Sequence, residues 1–571
     1  MVESLTHDVL VLGAGLAGLR AAGEISHRLG GKVDIGIVSK VQLMRAHSVC
    51  AEGGTAAVLR TDEGDSLDLH AWDTVKGSDF LADQDVVRRF VAAMPREIHL
   101  LDHWGIPWTR DEHGRIAQRP FGGHSYPRAT LAADKTGFFE MQTLYDQLLR
   151  YKTFTRYDEF FVTDILIADG RFAGLLGIHA PSGETVTLRG KALLIATGGG
   201  GTLYGFTTYS ETVTGDGMAM AFRAGLPLED MEFLQFHPTG LVPSGILMTE
   251  ACRGEGGYLV NSKGERFMQR YAPSKMELAP RDMVSRAETT EILEGRGFPG
   301  PDGKEYLHLD LTHLGADRIN QRLPLIREVC IKFIGLDPIE KPIPIRPVAH
   351  YSMGGIETDI NGLTRIPGVW AAGEAACVSL HGANRLGANS TAECLVWGGI
   401  TGAEIAAVLS KLPQSPPVPA VQVRRREEAV RALLSRDGKE NLYGLRRELR
   451  TAMDRYVGVY RKPEELAAAL VVIREIRQRF VAAPVPDKGS VYNSNLLHAL
   501  ELENLLDLAE VTVMGALARE ESRGAHARRD FAVRDDEKWL KHTLAWRTDS
   551  EPRLDYKPVT IDMWKPVERK Y

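Results

Sequence analysis

The sequence is poor in the residues and segments that several protein classes require. It has five cysteines in 571 residues, and no two of them form a C-x-x-C pair. A disulfide framework, a zinc site and iron–sulfur ligands within this chain are therefore disfavoured, and a reducing compartment is expected. No apolar run approaches the ~20 residues of a membrane-spanning helix. The first residues show neither a basic nor an apolar export segment, so we expect no export.

The charge balance argues against a nucleic-acid-binding protein. Lysine and arginine number 69 against 75 aspartates and glutamates, which gives a formal net charge of −6. This slightly acidic balance disfavours extensive nucleic-acid binding. The apolar fraction of 44% and the charged fraction of 25% are ordinary for a globular chain. At roughly 150 residues per domain, the length predicts three or four domains.

Glycine, in contrast, is abundant, and its positions predict a nucleotide-binding fold. The chain has 57 glycines, about 10% of its residues against a usual ~7%. The apolar run at 8–12 is typical of a parallel strand buried on both faces. It leads into the G-x-G-x-x-G pattern of residues 13–18, a helix to about His27 and a second strand at 32–39. In this strand–turn–helix context, such glycines let the backbone approach a pyrophosphate at a helix N-terminus.

The position expected to contact the ribose favours FAD over NAD. NAD sites usually place an acid ~20 residues after the glycines, at the end of the second strand. Here that place holds Ser39 and Lys40. Later in the chain, Glu374 follows a strand end, where its carboxylate can accept hydrogen bonds from ribityl hydroxyls. The alternative is a glycine-rich turn that serves only packing, but the Glu374 segment points to the same variant FAD site.

Two further strands that end in glycine predict a single sheet built from distant segments. Residues 192–196 run into the glycines at 198–201, and residues 368–374 form the third such unit. The prolines of 413–419 mark a stiff boundary. We predict an α/β fold whose domains are a Rossmann-like, discontinuous FAD-binding domain (1–235 plus 350–410), an inserted domain (236–349), a helical domain (420–520) and a C-terminal domain without clear periodicity (521–571).

The segment around His47 resembles a known family. Residues 45–54, Arg-Ala-His-Ser-Val-Cys-Ala-Glu-Gly-Gly, are similar to the S-H-T-x-A-[AQE]-x-G-G neighbourhood in flavoprotein subunits of succinate dehydrogenase and fumarate reductase, the respiratory complex II family. The resemblance covers nearly the whole chain in order. Further matching motifs begin at Phe121, Ala133, Ala196, Thr214, His237, Met248, Pro280, His350, His381 and Glu521.

The resemblance implies how the cofactor is held. The inserted domain corresponds to the family's capping domain, and His47 corresponds to the histidine that carries FAD covalently. Such a bond would hold the flavin and raise its potential. The FAD-binding residues expected from the glycine pattern and from the family are Gly13, Ala14, Gly15, Gly18, Ser39, Lys40, His47, Ser48, Gly53, Gly54, Asp216, Glu374, Arg385, Ser390 and Thr391.

The resemblance also implies a dicarboxylate substrate. Succinate and fumarate are small dianions, and a buried site for them needs fixed cations and hydrogen-bond donors. We expect Arg385 and His350 to bind one carboxylate, and His237 and Thr249 to bind the other. The full set implied is His237, Thr249, His350, Arg385, Ala388 and Phe121.

In that family, hydride transfer between substrate and flavin is coupled to proton transfer at the neighbouring carbon. The resemblance gives the proton role to Arg281, with Glu250 and Arg253 as a relay. Residues three apart share a face of a helical turn, so Glu250 and Arg253 are expected to meet. Free arginine is a very weak acid, so we expect neighbouring cations in a dry site to lower the pKa of Arg281.

Because the chain lacks ligands for an iron–sulfur cluster, the electrons of the reduced flavin must pass to a partner protein. The resemblance implies an iron–sulfur subunit, a membrane anchor that exchanges electrons with quinone, and a peripheral place on the cytoplasmic face of the inner membrane. It also implies a role in electron transport and the tricarboxylic acid cycle. No metal site is expected.

Direction and rival functions stay open at this point. Glu52 stands where many succinate dehydrogenases have Gln and several bacterial fumarate reductases have Glu, which favours quinol:fumarate reduction as an alternative direction. An L-aspartate oxidase is a second alternative, although His47 argues against it. A haem-fused fumarate reductase would need a C-x-x-C-H motif, which the sequence lacks. A non-catalytic FAD-binding protein would leave Arg281, Arg385, His237 and His350 unexplained.

Overall fold

A five-stranded parallel sheet is assembled from segments that lie far apart in the sequence. The computed structural model describes residues 3–571. Every residue of the three central strands is buried, as expected for a parallel sheet covered on both faces. The prediction that the three glycine-terminated strands share one sheet is confirmed. In spatial order the strands are Val369–Ala371, Ala192–Ile195, Val9–Leu12, Ile35–Val38 and Phe154–Tyr157.

Glycines fix how the first helix meets the sheet and its neighbour. Helix Leu16–Arg28 packs against helix Asn389–Val408. A Cβ atom on Gly398 or Gly402 would lie 2.7 Å from a backbone carbonyl oxygen of the first helix, so the two backbones touch. The second strand begins at Ile35 and not at Lys32 as predicted, because left-handed glycines end the preceding helix and delay the strand.

The remaining elements of the first 230 residues surround this sheet. Next to it lies a four-stranded sheet with the order Glu3–Thr6, Glu184–Arg189, Arg171–His179 and Phe160–Ala168. A small sheet joins Thr55–Ala56, Ala129–Thr130 and Gln118–Arg119. The other α-helices here are Leu67–Gly77, Gln84–His103, Thr136–Leu148 and Asp216–Arg223. Short 3₁₀ turns occur at Leu43–Arg45, His47–Cys50, Thr61–Glu63 and Gly201–Leu203.

The inserted segment has a sheet and an apolar core of its own. Its antiparallel strands, in spatial order, are Leu234–Leu241, Ile343–Ser352, Glu305–Asp310 and Tyr258–Val260. Residues 295–303, which are rich in glycine and proline, include a short strand, Phe298–Pro299, that pairs with Tyr306 and Glu305. The helices of the insertion are Ala251–Gly254, Met268–Tyr271, Arg281–Leu293, Ala316–Arg322 and Pro324–Ile334, with 3₁₀ turns at Met276–Leu278 and Thr312–Leu314.

The later part of the chain begins with helices that share a core with the parallel sheet. Leu449 and Leu505 belong to the same buried cluster as Leu193 and Ile195 of the sheet. The helical region is therefore packed onto the nucleotide-binding fold along a continuous apolar surface. Its helices are Ala420–Ser435, Leu442–Tyr456, Pro463–Phe480 and Ser494–Ala518.

The last fifty residues contain strands that the sequence pattern did not reveal. Lys541–Trp546 and Arg553–Pro558 form a hairpin that joins a five-stranded sheet, and Ala527–Arg528 pairs with Tyr460–Arg461. Residues of the outer hairpin strand are largely exposed, which explains the missing apolar alternation. The other strands of the five-stranded sheet are Leu228–Glu229, Gly355–Glu357 and Ala376–Cys377, beside the 3₁₀ turn Gly373–Ala375.

A buried ion cluster attaches the C-terminal hairpin to the rest of the protein. The His542 ring lies 2.6 Å from Asp230 and 3.3 Å from Glu229 through Nδ1. Lys557 Nζ lies 2.7 Å from the second oxygen of Glu229. Although burial works in the opposite direction, the carboxylates of Asp230 and Glu229 raise the pKa of His542 to about 10. The histidine is therefore positively charged at neutral pH.

We expect His542→Gln to lower thermal stability at pH 7, because removing one partner from a buried ion cluster costs about 3–5 kcal/mol. The stabilisation from the histidine charge is complete below its ordinary pKa of 6.5 and is lost as the pH rises through about 10. The difference in melting temperature between wild type and variant should therefore shrink between these pH values. Exposed His113 provides the control as His113→Gln, and a difference that does not change with pH would contradict the assignment.

The final residues connect the inserted segment to the nucleotide-binding fold. The Arg569 guanidinium contacts Asp282, at the start of helix Arg281–Leu293, and lies 3.1 Å from Asp79. The Tyr571 ring lies 4.1 Å from Lys76 Nζ. One buried cation thus joins carboxylates of two separate parts of the molecule. Within residues 3–571, no helix combines the length and apolar character needed to cross a membrane.

Candidate active site

A cavity of about 450 Å³ opens at the carboxyl end of the parallel sheet. Its floor is the glycine turn that follows the first buried strand. Gly13 has φ +108°, and a Cβ atom there would lie 2.2 Å from the Ala196 carbonyl oxygen, so only glycine fits. The N-terminus of helix Leu16–Arg28 opens into the cavity, and the Leu16 N–H donates to Ser48 Oγ at 3.3 Å. This cradle fits the pyrophosphate of a dinucleotide such as FAD.

Most predicted cofactor residues line this cavity. The structure places Gly13, Ala14, Gly15, Ser39, Lys40, His47, Ser48, Asp216, Glu374, Ser390 and Thr391 in its wall. Gly18, Gly53, Gly54 and Arg385 are not among the lining residues. Gly18 instead lies against the Gly13 carbonyl and Gly54 against the Thr130 carbonyl, where a Cβ would clash at 2.1 and 2.4 Å. These two glycines shape the turns behind the cavity.

Lys40 is anchored by side chains from distant parts of the chain. Its Nζ donates to Thr214 at 2.6 Å, to Asp216 at 2.7 Å and to Glu501 at 2.8 Å. Burial works to lower the pKa of Lys40, but the Asp216 and Glu501 carboxylates raise it. Glu501 lies on helix Ser494–Ala518, and nothing in its local sequence distinguishes it as part of this wall. It was not predicted.

His47 lies in the cavity wall as an uncharged imidazole. Burial lowers the pKa of His47 to about 4, so the ring is neutral and able to act as a nucleophile at pH 7. Its ring stacks on Tyr209 with centroids 5.2 Å apart, and its Nδ1 accepts from the Ser210 N–H at 3.4 Å. Tyr209 was not predicted, because it follows no recognised motif.

Glu374 lies in the same cavity wall, in contact with Tyr209. Its Oε1 accepts from the Ser352 N–H at 2.8 Å and from the Tyr209 hydroxyl. Burial raises the pKa of Glu374 to about 7. The carboxyl group therefore exists in both protonation states near neutrality and can either accept or donate a hydrogen bond to a hydroxyl of the cofactor.

Beside the cavity, two arginines and two histidines from separate segments come together. Burial, helped by the charge of Arg281, lowers the pKa of His237 and of His350 well below the usual range, which favours their neutral, hydrogen-bonding forms. Arg281 and Arg385 both donate to Gln235 Oε1, at 3.1 and 3.2 Å. The rings of His237 and His350 are in edge contact with centroids 4.9 Å apart. Gln235 was not predicted, although it lies two residues before the His237 motif, because its role arises only where the two guanidinium groups meet.

Among the described residues, Arg385 and His237 each have a buried hydrogen-bond donor without a partner. Arg385 is 2% exposed and its guanidinium lies 4.3 Å from the Tyr351 ring centre. In the part of the chain that the structure describes, Arg385 Nε and His237 Nε2 have no hydrogen-bond partner. Buried donors without partners are costly, and a small dianion would satisfy both. This arrangement fits the predicted dicarboxylate.

Arg281 also belongs to a second series of charged groups. Its Nε donates to Glu250 Oε2 at 2.7 Å, and the same oxygen lies 3.7 Å from Arg253 Nη2. Glu250 precedes the short helix Ala251–Gly254, so the expected contact across one helical turn is present. Burial opposes the shift, but Arg281 and Arg253 lower the pKa of Glu250 to about 2. Glu250 is therefore ionised.

The surroundings of Arg281 make its guanidinium group a stronger acid than usual. Burial, with further contributions from Arg385 and Arg253, lowers the pKa of Arg281 to about 9 even though Glu250 opposes the shift. The expected depression by a dry, cationic site is therefore present. A guanidinium group in this state can donate a proton and recover it near neutral pH.

Phe121, Thr249 and Ala388 complete the surroundings of the cationic group. A Cβ atom on Gly53 or Gly387 would lie 2.9 Å from the Phe121 ring, so the ring packs between these glycines. Thr249 is 1% exposed and lies near Gly53. Ala388 has left-handed backbone at the start of helix Asn389–Val408, and its carbonyl accepts from the Ala56 N–H at 2.9 Å.

Comparisons with known proteins agree with this geometry. Residues 8–391 match the family model described as FAD binding domain, and residues 446–571 match Fumarate reductase flavoprotein C-term. The chain is 48% identical to the fumarate reductase flavoprotein subunit of Mycobacterium tuberculosis, over 99% of both chains. It is 43% identical to the succinate dehydrogenase flavoprotein subunit of Rickettsia bellii, over 97% of this chain and 95% of that one. A solved E. coli quinol fumarate reductase chain superposes with a TM-score of 0.96 at 43% identity, covering 99% of both chains.

Proposed function

The chain belongs to the family of fumarate reductase and succinate dehydrogenase flavoprotein subunits, which are FAD-dependent oxidoreductases. On that premise we propose that its cationic pocket binds succinate and fumarate and that the enzyme converts each into the other. The proposal rests on the observation that Arg281 and Arg385 both donate hydrogen bonds to Gln235 Oε1. His237 and His350 lie beside this pair. Four cationic or donor groups in one buried site suit a four-carbon dianion.

FAD bound in the cavity would supply the hydride chemistry. The glycine turn at Gly13 and the first helix N-terminus would hold the pyrophosphate, and Ser39 would contact the ribose. Glu374 would contact the ribityl chain, since its carboxyl group faces the same cavity. Gly53, Gly54, Ser390 and Thr391 belong to the same proposed binding surface by resemblance.

The substrate carboxylates are proposed to be held at two ends. Arg385 and His350 would bind one carboxylate, and His237 and Thr249 the other. The free donors at Arg385 Nε and His237 Nε2 support this division. Phe121 and Ala388 would form the apolar wall that keeps water from the reacting carbons, since both are almost fully buried.

Arg281 is proposed to move the proton. In fumarate reduction it would give a proton to the substrate carbon next to the one that receives hydride. Glu250, at 2.7 Å from Arg281, would pass a replacement proton onward from Arg253. In succinate oxidation the same groups would act in reverse.

His47 is proposed to carry FAD through a covalent bond. The neutral ring, the stacking on Tyr209 and the position in the cavity wall support this role. Arg385 would then approach the flavin from the substrate side. This position accounts for its place among both the predicted cofactor-binding residues and the predicted substrate-binding residues.

Electrons are proposed to leave through partner subunits. The five cysteines lie apart in the sequence, and each is a free thiol. An iron–sulfur subunit, and beyond it a membrane anchor with quinone, would accept or supply the electrons. The complex would then be peripheral on the cytoplasmic face of the membrane, with a place in electron transport and the tricarboxylic acid cycle.

Fumarate reduction by quinol is the alternative physiological direction of the reaction. The glutamate at position 52 favours this alternative. Glu52 lies in the cavity wall, and burial, together with nearby Asp134, raises its pKa well above the usual range although Arg119 opposes the shift. The relatives include enzymes named for either direction.

The proposed function is tested by assaying the enzyme isolated from its host together with its associated subunits. We expect succinate-dependent dye reduction and fumarate-dependent oxidation of a reduced viologen, each dependent on FAD. Identification of the co-purifying subunits tests the partner proposal in the same preparation. Turnover of L-aspartate in place of succinate, or no turnover with either dicarboxylate, would refute the assignment in favour of an aspartate oxidase or a non-catalytic flavoprotein.

A further inference from the structure

Glu288 is a buried carboxyl group that none of the roles above uses. It lies on helix Arg281–Leu293, seven residues after Arg281, which is about two helical turns along the same face. Its exposed fraction is 0%. Neither of its carboxyl oxygens has a hydrogen-bond partner within residues 3–571. A carboxylate is costly to bury in this way, and burial raises the pKa of Glu288 well above its usual range, although Arg253 opposes the shift. Such burial therefore favours the protonated form of Glu288.

Arg253 offers the complementary unpaired groups. Its side chain is wholly buried. Its Nη1 donates to the Glu277 carbonyl, while Nε and Nη2 have no hydrogen-bond partner among the residues described. The 3.7 Å separation between Nη2 and Glu250 is an ion pair that is too long for a hydrogen bond. Within the described chain, Arg253 and Glu288 thus each keep two buried polar atoms without a hydrogen-bond partner, and the charge of Arg253 acts on the pKa of Glu288.

We propose that Glu288 is a positioning residue that supplies a proton to Arg253 and so extends the series Arg281, Glu250 and Arg253 by one group. This inference rests on the proposed function. Glu288 acts through Arg253 and not on the substrate. Because the two side chains do not hydrogen-bond to each other, a bridging water molecule would carry the proton between them.

The proton balance is closed in either direction. In fumarate reduction, Arg281 loses a proton to the substrate carbon, Glu250 passes one from Arg253 to Arg281, and Glu288 gives one to Arg253. The Glu288 carboxylate that forms is stabilised by the charge of the restored guanidinium. Because the side chain is fully buried, a water molecule that enters the region must bring it one proton from solvent. In succinate oxidation every transfer is reversed, and one proton reaches solvent.

Glu288→Gln tests this inference because the amide keeps the volume and polarity but cannot hand over a proton. In the enzyme isolated with its partner subunits, we expect kcat for fumarate reduction to fall about tenfold, below the effect of a direct acid–base group. KM should stay unchanged, and the solvent deuterium isotope effect on kcat should increase. Glu288→Asp should restore part of the rate, whereas Glu288→Met, an apolar replacement, should behave like the Gln variant.

Controls separate the relay from a structural role and from the proposed function itself. Glu294→Gln changes an exposed carboxylate just beyond the same helix and should behave as wild type. A Gln variant with wild-type kcat and isotope effect overturns the inference. A loss of rate accompanied by loss of FAD or by a raised KM, with an unchanged isotope effect, also overturns it. If wild type itself fails to turn over fumarate, the proposed function fails first.

Discussion

Replacement of Arg281 by leucine is expected to abolish turnover in both directions while FAD stays bound. Arg281 lies 6% exposed beside the cationic pocket and donates to Gln235 and Glu250. It does not line the cofactor cavity, so the cofactor should be retained. Loss of both the proton donor and a charge that stabilises the transition state predicts a decrease in kcat of about 10,000-fold.

The pH dependence and two further variants make this prediction specific. Fumarate reduction needs protonated Arg281 and should decline as the pH rises through about 9, whereas succinate oxidation needs the neutral form and should increase toward that pH. Arg281→Lys keeps a cation but not the planar fork, so it should also be severely impaired. Arg318→Leu removes a half-exposed cation of the same inserted segment and should leave turnover intact. An active Arg281→Leu enzyme would refute the proton role.

The second large effect is expected from His47→Ser. FAD should bind in the variant but be released by acid precipitation, because serine cannot form the histidine link. Succinate oxidation should fall roughly tenfold or more, corresponding to about 1.4 kcal/mol, because a noncovalent flavin would have a lower potential. Fumarate reduction, which needs the stronger reductant, should be affected less. Both rates and the acid-soluble flavin are measured on the same preparation.

A matched histidine distinguishes the link from a general loss of stability. His99 is exposed on helix Gln84–His103, and His99→Ser should retain acid-stable flavin and wild-type rates. Wild-type flavin that already separates from the protein in acid would show that the covalent proposal is wrong, even if FAD and turnover are present. The serine variant would then differ from wild type through the lost stacking on Tyr209 and the lost hydrogen bond from the Ser210 N–H.

The parallel sheet was predictable because its strands are buried on both faces and so form apolar runs that end in glycine. The outer C-terminal strand Arg553–Pro558 was not, since most of its residues face solvent. A short edge strand of mixed polarity carries little sequence signal. The same reasoning applies to Phe298–Pro299, a two-residue strand with no fully buried residue in a segment rich in glycine and proline.

The candidate site was only partly predictable. The positions of Arg281, Arg385, His237 and His350 followed from ordered motifs. Gln235, Tyr209 and Glu501 acquire their roles from contacts between residues more than 100 positions apart in most cases, which no local pattern encodes. Glu288 illustrates the limit, because a glutamate within a helix usually indicates a solvated face.

The contact of Arg569 with Asp282 sets an order of events during biosynthesis. Translation adds Asp282 and then, 287 residues later, the arginine that joins Asp282 to Asp79. Until then, two carboxylates of like charge meet at this junction without the cation that bridges them. In a chain that ends before residue 569, the inserted segment and the nucleotide-binding fold would be held together less tightly. The junction between them would then be more accessible to cellular proteases. This ionic connection between the inserted segment and the nucleotide-binding fold can thus form only when synthesis of the chain is nearly complete.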